Sequence, residues 1–289
     1  MTAPTLESVQ EYYDERVEGK ILDFTYANPR IEAAIQFVAE WAPPNPRRIL
    51  EIGCGIGATC WRMARTWPQA QVIGADISPI SVEVADTCFK LPNLSYKTGL
   101  LNEGLLDGKF DLIVMMDVYE HIALEDRASI HAAIRSLLSE EARFVLTFPT
   151  PTLQNYIRDR TPSDLQPVDE DVDISDIVRL AVETDTRLLF YREVGIWHYG
   201  DYAHLALARF QSMAEVTLRE YKPSGIAGLK RRIKRLLRRG ETPRASFRDY
   251  LGSDVLRRWP RNIGAQFKVT TRERQRLASA WFRQRGKVE

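Results

Sequence analysis

The apolar positions of this 289-residue chain change period along its length. In "PRIEAAIQFVAEWA" (29–42), Ile31, Ala34, Ile35, Val38 and Trp41 recur at helical spacing, and Pro29 suits a first turn. The charged and aromatic stretch 6–20 predicts an earlier helix. After "APPNPRR" the period shortens, and "RILEIG" is an apolar run of strand length. The theme then repeats: "ATCWRMARTW" as helix, "AQVIGADI" as strand, "SPISVEVADTCFK" as helix and "LSYKTG" as strand. "FDLIVMMDV" follows as strand, "EDRASIHAAIRSLLS" as helix and "ARFVLTFPTP" as strand. Strands alternating with helices predict an α/β, Rossmann-like fold, a mostly parallel sheet covered on both faces. The polar, proline-punctuated run 151–173 predicts a long loop. A helix over "ISDIVRLAVETD" and an antiparallel pair, 186–197 with 202–210, complete the sheet.

Charge divides the chain. Residues 222–289 hold 20 Lys and Arg against 5 Asp and Glu, a net +15. Residues 1–221 hold 20 Lys and Arg against 34 Asp and Glu, a net −14. This predicts a body and a tail with different partners; with the pattern above, the chain divides into N-terminal helices over 1–44, a ligand-binding domain over 45–221, and a basic helical extension over 222–289. Three scattered cysteines, Cys54, Cys60 and Cys88, make neither a disulfide framework nor a thiolate metal site. No secretory leader is read at "MTAPTLESVQ", and no apolar run approaches the ~20 residues of a membrane span. A cytoplasmic location is expected, peripheral to the inner face of the membrane if the extension binds there.

Chemistry concentrates in "RRILEIGCGIGATCW" (47–61), where Gly53, Gly55 and Gly57 alternate behind the first strand. A glycine turn between strand and helix presents free N–H groups to a ligand at the sheet's carboxyl edge. Asp76 ends the next strand, 19 residues after Gly57, where a carboxylate can hold ribose hydroxyls. The same letters read Gly53-x-Gly55-x-x-Ala58, so NAD and another nucleoside both remain open. Glu51 argues against NAD, since its carboxylate would repel a diphosphate and attract an ammonium. The strand "FDLIVMMD" also ends in a polar cluster, "DVYEHI".

"LEIGCGIG", "GADIS", "FDLIVMMDVYEHI" and "RFVLTFPTP" together resemble the class I S-adenosylmethionine-dependent methyltransferases, especially the ubiquinone-biosynthesis-like branch, over about 45–210. The resemblance implies a seven-stranded sheet with its last strand reversed and S-adenosyl-L-methionine as cofactor. It implies that Glu51, Gly53 and Gly55 face the methionine part, with Gly57 keeping the turn tight. Asp76 would hold the ribose, Ile77 would pack on adenine, and Asp117 would border the site. The family has an acid after the third strand, and this chain has Leu100 there; the Leu100 and Leu101 backbone, or Asn102, would then meet adenine.

Methyl transfer requires a positioned nucleophile and, for a hydroxyl acceptor, a base. His121 and His198 are the candidate bases, with Asp117 beside them, and no metal is expected. The competing reading makes Asp117, Glu120 and His121 metal ligands with His198 or His204, a spacing that resembles small-RNA 2′-O-methyltransferases. Tyr119, Arg158, Trp197, Tyr199 and Tyr202 are the candidate substrate contacts, the last three in "GIWHYGDY" (195–202). Tyr12, Tyr13, Tyr26 and Arg30 lie in the segment that closes over the cofactor in such enzymes. The expected acceptor is a small-molecule, sugar or glycan hydroxyl; RNA methylation and NAD-dependent oxidoreduction are the alternatives. In the extension, Ile226, Leu229, Ile233, Leu236 and Leu237 form an apolar stripe among seven Lys and Arg. That pattern suits an anionic membrane surface or a protein partner better than nucleic acid.

Overall fold

The computed structural model describes residues 4–102, 104–209 and 269–285. Seven strands form one sheet, in the order β3-β2-β1-β4-β5-β7-β6: β1 (Arg48–Ile52), β2 (Gln71–Asp76), β3 (Leu94–Thr98), β4 (Phe110–Met116), β5 (Leu138–Pro149), β6 (Arg187–Val194) and β7 (Tyr202–Ala208). β1 pairs in parallel with β2 and β4, while β7 runs antiparallel between β5 and β6. The expected fold class therefore holds, including the reversed last strand. Covered on both faces, the central strands bury nearly every residue, which is why they read as unbroken apolar runs. One face packs Leu50, Ile113, Phe144 and Leu205 with others, the opposite face Ile49, Leu112, Val145 and Ala206. Strand order reverses between β1 and β4, so the ligand crevice is expected at their carboxyl ends.

The helices are α1 (Leu6–Glu15), α2 (Val17–Tyr26), α3 (Pro29–Trp41), α4 (Ala58–Thr66), α5 (Pro79–Cys88), α6 (Arg127–Leu137), α7 (Pro151–Arg160), α8 (Ile174–Glu183) and α9 (Thr271–Arg285). Two differ from expectation. The helix expected over 6–20 breaks at Arg16 into α1 and α2. The loop expected over 151–173 opens as α7, because Thr150 accepts from the Leu153 N–H and Pro151 supplies the first helical φ. That signal is local, and was hidden by the polar composition of the run.

The basic extension expected over 222–289 is also not uniform. α9 belongs to the same compact unit as residues 4–209. Its Trp281 shares an apolar cluster with Val17, Ile21 and Phe24 of α2 and with Val84 of α5. Burial of such large side chains is worth about 1.5–3 kcal/mol each, which holds a helix rich in arginine against the body. The amphipathic helix expected over 225–240 lies outside the described residues. Among those described, no helix is long and apolar enough to cross a membrane.

Candidate active site

A cavity of about 700 Å³ opens at the carboxyl ends of β1 and β4, roofed by α1, α2 and the start of α3. The turn after β1 forms its floor. Gly53 has φ +70°, and a Cβ there would stand 2.3 Å from Cγ2 of Val118, so the turn can touch the β4 loop only as glycine. Gly55 has φ +52° and faces the cavity, where a Cβ would meet only Lys20, at 3.7 Å. Gly57 lies behind the cavity wall, its carbonyl accepting from Tyr96 Oη at 3.3 Å.

Asp76 closes the turn. One carboxylate oxygen accepts from the Gly55 N–H at 2.7 Å and the other from the Ser78 N–H at 2.9 Å. Glu51 is buried below, and Cys60 Sγ donates to its Oε2 at 2.8 Å. Burial pushes the Glu51 carboxyl up to about 8, with the Asp76 charge adding to the effect and the Cys60 contacts opposing it. Ile77 and the Leu100–Leu101 pair line the same end; Leu101 is buried, Leu100 half in solvent. Asn102 is exposed and outside the lining.

The other end is assembled from distant segments. Asp117, directly after β4, has φ +54° and donates its N–H to Thr147 O at 2.8 Å. Its Oδ2 takes a close ion pair from Arg30 Nη1, delivered by the first turn of α3. Burial pushes the Asp117 carboxyl up, and the Arg30 and His121 charges oppose that. His121 lines the cavity too. Its Nδ1 donates to Val168 O at 2.8 Å and stands 3.1 Å from Asp169 Oδ1, while Nε2 faces Glu120 Oε1 at 3.6 Å. Burial alone would lower its pKa; the two carboxylates outweigh burial and hold it at about 9. Burial pushes the neighbouring Glu120 up to about 7 against the pull of His121. The surrounding carboxylates thus favour the protonated form of His121, so a role as base requires that proton to leave first. Tyr13 of α1 lines the cavity with its ring 6.4 Å from His121, and Tyr12 lies beside it.

The remaining candidates fall elsewhere. Tyr119 is buried in the core, its hydroxyl 2.9 Å from His131 Nε2, so it belongs to the α6 packing rather than to the cavity. Arg158 is half-buried outside the cavity, pairing with Asp171 at 3.0 Å and donating to Asp169 O at 3.2 Å. Trp197, His198 and Tyr199 occupy the exposed turn after β6, which Asp201 shapes by accepting three successive N–H groups at 2.8–2.9 Å. That turn lies on the expected edge of the sheet, yet none of the three lines the cavity, and His198 stacks near Tyr156, 5.3 Å away. Tyr202 sits one layer behind the cavity, with the Arg30 guanidinium 5.8 Å from its ring. Tyr26 is exposed and does not line it. His204 is buried against Phe37, and burial with the nearby Arg192 charge lowers it to about 4. Neither His198 nor His204 joins the Asp117–Glu120–His121 cluster, and no group of three or more His, Cys, Asp or Glu is placed to hold a metal among the described residues.

Sequence reasoning missed Val168 and Asp169, which fix His121, and the trio Glu32, Arg62 and Arg274 on the cavity wall. No local pattern marks them, because each acts through a partner at least 30 residues away.

A methyltransferase-domain family matches residues 24–219. A ubiquinone biosynthesis O-methyltransferase of Bartonella tribocorum is 39% identical over 111 residues, covering 36% of this chain and 42% of the relative. Norajmaline N-methyltransferase of Rauvolfia serpentina is 31% identical over 119 residues, 38% of this chain and 40% of the relative. The chain thus spans half or less of the length of the curated relatives it matches. Solved S-adenosylmethionine-dependent methyltransferases from Anabaena variabilis (TM-score 0.55, 17% identity, 73% of this chain and 99% of that one) and Mesorhizobium loti (TM-score 0.53, 16% identity, 64% and 100%) share the fold. The family match extends over most of a chain whose glycine turn sits at the switch point of a seven-stranded sheet; the chain belongs to the class I S-adenosylmethionine-dependent methyltransferases.

Proposed function

We propose that the chain transfers a methyl group from S-adenosylmethionine to a hydroxyl of a small molecule, a sugar or glycan among the candidates. The observation that carries the first part is the single wall formed by Glu51, open Gly55 and Asp76. Those residues fit the cofactor chemically. A buried carboxyl at one end matches an ammonium, a Cβ-free turn admits close approach, and Asp76 at the end of β2 offers acceptors for ribose. When bound, the cofactor supplies an activated methyl on a sulfonium.

The chain's own work is then to bind, orient and deprotonate. The cavity volume falls within the 300–1,000 Å³ usual for ligand sites. Tyr12, Tyr13 and the Arg30–Asp117 pair border the acceptor end. A hydroxyl acceptor must lose a proton, and among the groups facing that end His121 is our candidate base. It accepts a proton only after releasing its own, so the rate with a hydroxyl acceptor should climb with pH toward about 9. Calorimetry with S-adenosylhomocysteine tests the cofactor assignment: micromolar binding supports it, and selective binding of NAD overturns it. Transfer of labelled methyl to hydroxylated against amine acceptors tests the second part.

For the basic segment outside the described residues we propose an anionic membrane surface as partner, supported by 14 Lys and Arg against 3 Asp and Glu over 222–268. Co-sedimentation with anionic but not neutral vesicles, lost on charge reversal of 230–239, is the expected result. Equal sedimentation of the reversed variant removes the idea.

A further inference from the structure

α9 lies beyond the residues matched by the family, yet it reaches the cavity. Arg274 is buried at 4% exposure, and each of its three guanidinium nitrogens is engaged by protein. Nη1 donates to Phe24 O at 2.7 Å, Nη2 to Glu32 Oε1 at 2.9 Å, and Nε to Val269 O at 3.3 Å. Phe24 O lies in the last turn of α2 and Glu32 in the first turn of α3. Between them the chain reverses through Ala27 at φ +59°, a conformation that a non-glycine residue holds only when its surroundings enforce it. The other carboxylate oxygen of Glu32 accepts from Arg62 Nη2 of α4 at 3.0 Å. Glu32, Arg62 and Arg274 all line the cavity.

We infer that Arg274 is a positioning residue for cofactor binding: from the C-terminal helix it fixes the corner between α2 and α3, and through Glu32 the α4 wall. The corner matters because α2 brings Lys20 over Gly55 while α3 brings Arg30 to Asp117. A shift of either helix therefore changes both ends of the cleft. With its nitrogens already engaged, Arg274 acts through these elements rather than on the ligand. α9 is anchored independently of Arg274, by Trp281 in the apolar cluster and by Glu273 pairing with Arg65 of α4 at 2.9 Å. α1, by contrast, buries no residue and is held to the β2 edge by polar contacts, Gln10 Nε2 to Ile77 O at 3.0 Å and the Asp14–Ser78 pair. α2 is thus the fixed post of the roof and α1 its loosely held panel.

The inference rests on reading the cavity as the cofactor site, and the test separates the two. Full-length wild type, R274M, R274K and L277A are titrated with S-adenosylhomocysteine well below their melting temperatures, and amide hydrogen exchange is followed over residues 17–32. Leu277→Ala loosens α9 packing without touching the guanidinium. R274M should weaken binding roughly tenfold, within the range by which residues that do not touch a ligand modulate its site. It should also raise exchange at 24–32. R274K, with a single nitrogen in place of the three that reach Phe24 O, Glu32 and Val269 O, should recover part of both effects, and L277A should lower the melting temperature yet bind within about twofold of wild type. Unchanged affinity in R274M, or equal weakening in R274M and L277A, overturns the positioning role. If R274M does not fold, R274K against L277A decides on the same criteria. Failure of wild type to bind would remove the cofactor reading, while unaltered exchange at 24–32 in the Arg274 variants would remove the brace.

Discussion

At one end of the cleft, the proposed cofactor end, Glu51, Gly53, Gly55 and Asp76 all come from residues 51–76, one strand–turn–helix–strand unit. At the opposite end, the proposed acceptor end, Arg30, Asp117 with His121, and Asp169 come from three separated segments and meet through ion pairs and hydrogen bonds. The first end is held by backbone geometry: positive-φ glycines, Asp76 accepting two N–H groups and a strand register. The second is held by charge, through ion pairs and hydrogen bonds between side chains that the sheet brings together. A backbone-built site is exacting about side-chain volume and indifferent to pH. A charge-built site tolerates volume and is sensitive to the loss of either partner and to protonation. Glu51 is the exception, a carboxyl at the backbone-built end that burial pushes up to about 8.

The largest effect should come from volume. Gly53→Ala places a methyl 2.3 Å from Val118 in a positive-φ turn, at a cost of roughly 2–5 kcal/mol from strain and overpacking together. Chemical denaturation should show this, together with loss of S-adenosylhomocysteine binding. A Gly53→Ala protein as stable as wild type would break the contrast between the ends. Next, Arg30→Ala leaves the Asp117 carboxyl facing the cavity without its cation. About 2–3 kcal/mol of stability should go, less than for a fully buried pair because Arg30 keeps a quarter of its side chain exposed. Asp117→Asn combined with Arg30→Ala should lose less than the sum of the single changes.

Glu51→Gln sharpens the comparison. In the free protein the carboxyl, held at about 8, is protonated at pH 7 while the unfolded chain carries it ionised, so folding takes up a proton at a cost; Glu51→Gln, which needs no proton, should be more stable than wild type at pH 7, with the gain shrinking toward pH 4. Binding an ammonium favours the carboxylate, so Glu51→Gln should weaken S-adenosylhomocysteine roughly 10–100-fold, the range of one charge-assisted hydrogen bond. Titrations in buffers of different ionisation enthalpy should show about one proton released on binding near pH 7, absent in the variant. Proton release that persists in Glu51→Gln would assign it elsewhere.

His121 gives a smaller, pH-dependent effect. Its folded pKa of about 9 lies above the usual 6.5, so its contribution is complete below about 6.5 and is lost as pH rises through about 9. Stability should fall by roughly 2 kcal/mol from pH 7 to 9.5, with exchange rising first at residues 166–170, and His121→Gln should flatten that slope. His204, buried and held near 4, contributes the opposite slope on the acid side, lost as pH falls from about 6.5 to 4. The smallest effect belongs to Arg158→Ala. Its pair with Asp171 is exposed, so stability should move by under about 1 kcal/mol and cofactor binding not at all. A large loss of binding would return Arg158 to the cleft.

Where the sequence succeeded and failed follows the same division. Gly53, Gly55 and Asp76 were legible because the motif that names them is also the unit that positions them. Tyr119 was misread as a substrate contact because "DVYEHI" places Asp117, Tyr119 and His121 within five residues without saying which face each takes; a short 3-10 turn over Tyr119–His121 sends the tyrosine into the core and the histidine toward the cavity. "GIWHYGDY" was rightly placed at the carboxyl edge, but Asp201 gathers its N–H groups into a turn that faces outward. α9 was read by net charge as part of a separate extension, although Leu277, Ala278 and Trp281 carry a helical stripe that binds it to the body.

By itself, then, the sequence determined the alternation of strands and helices, the antiparallel pair at the end of the sheet, and the glycine turn facing Asp76. In each case hydrophobic period and glycine spacing act over a few residues, and backbone sterics translate them directly into structure. Tertiary structure alone decided the protonation of His121, the Arg30–Asp117 pair, and the return of Arg274 to the corner between α2 and α3. Burial and Coulomb energy depend on distances between groups far apart in the chain, and those distances exist only once the sheet has closed the segments around one cavity.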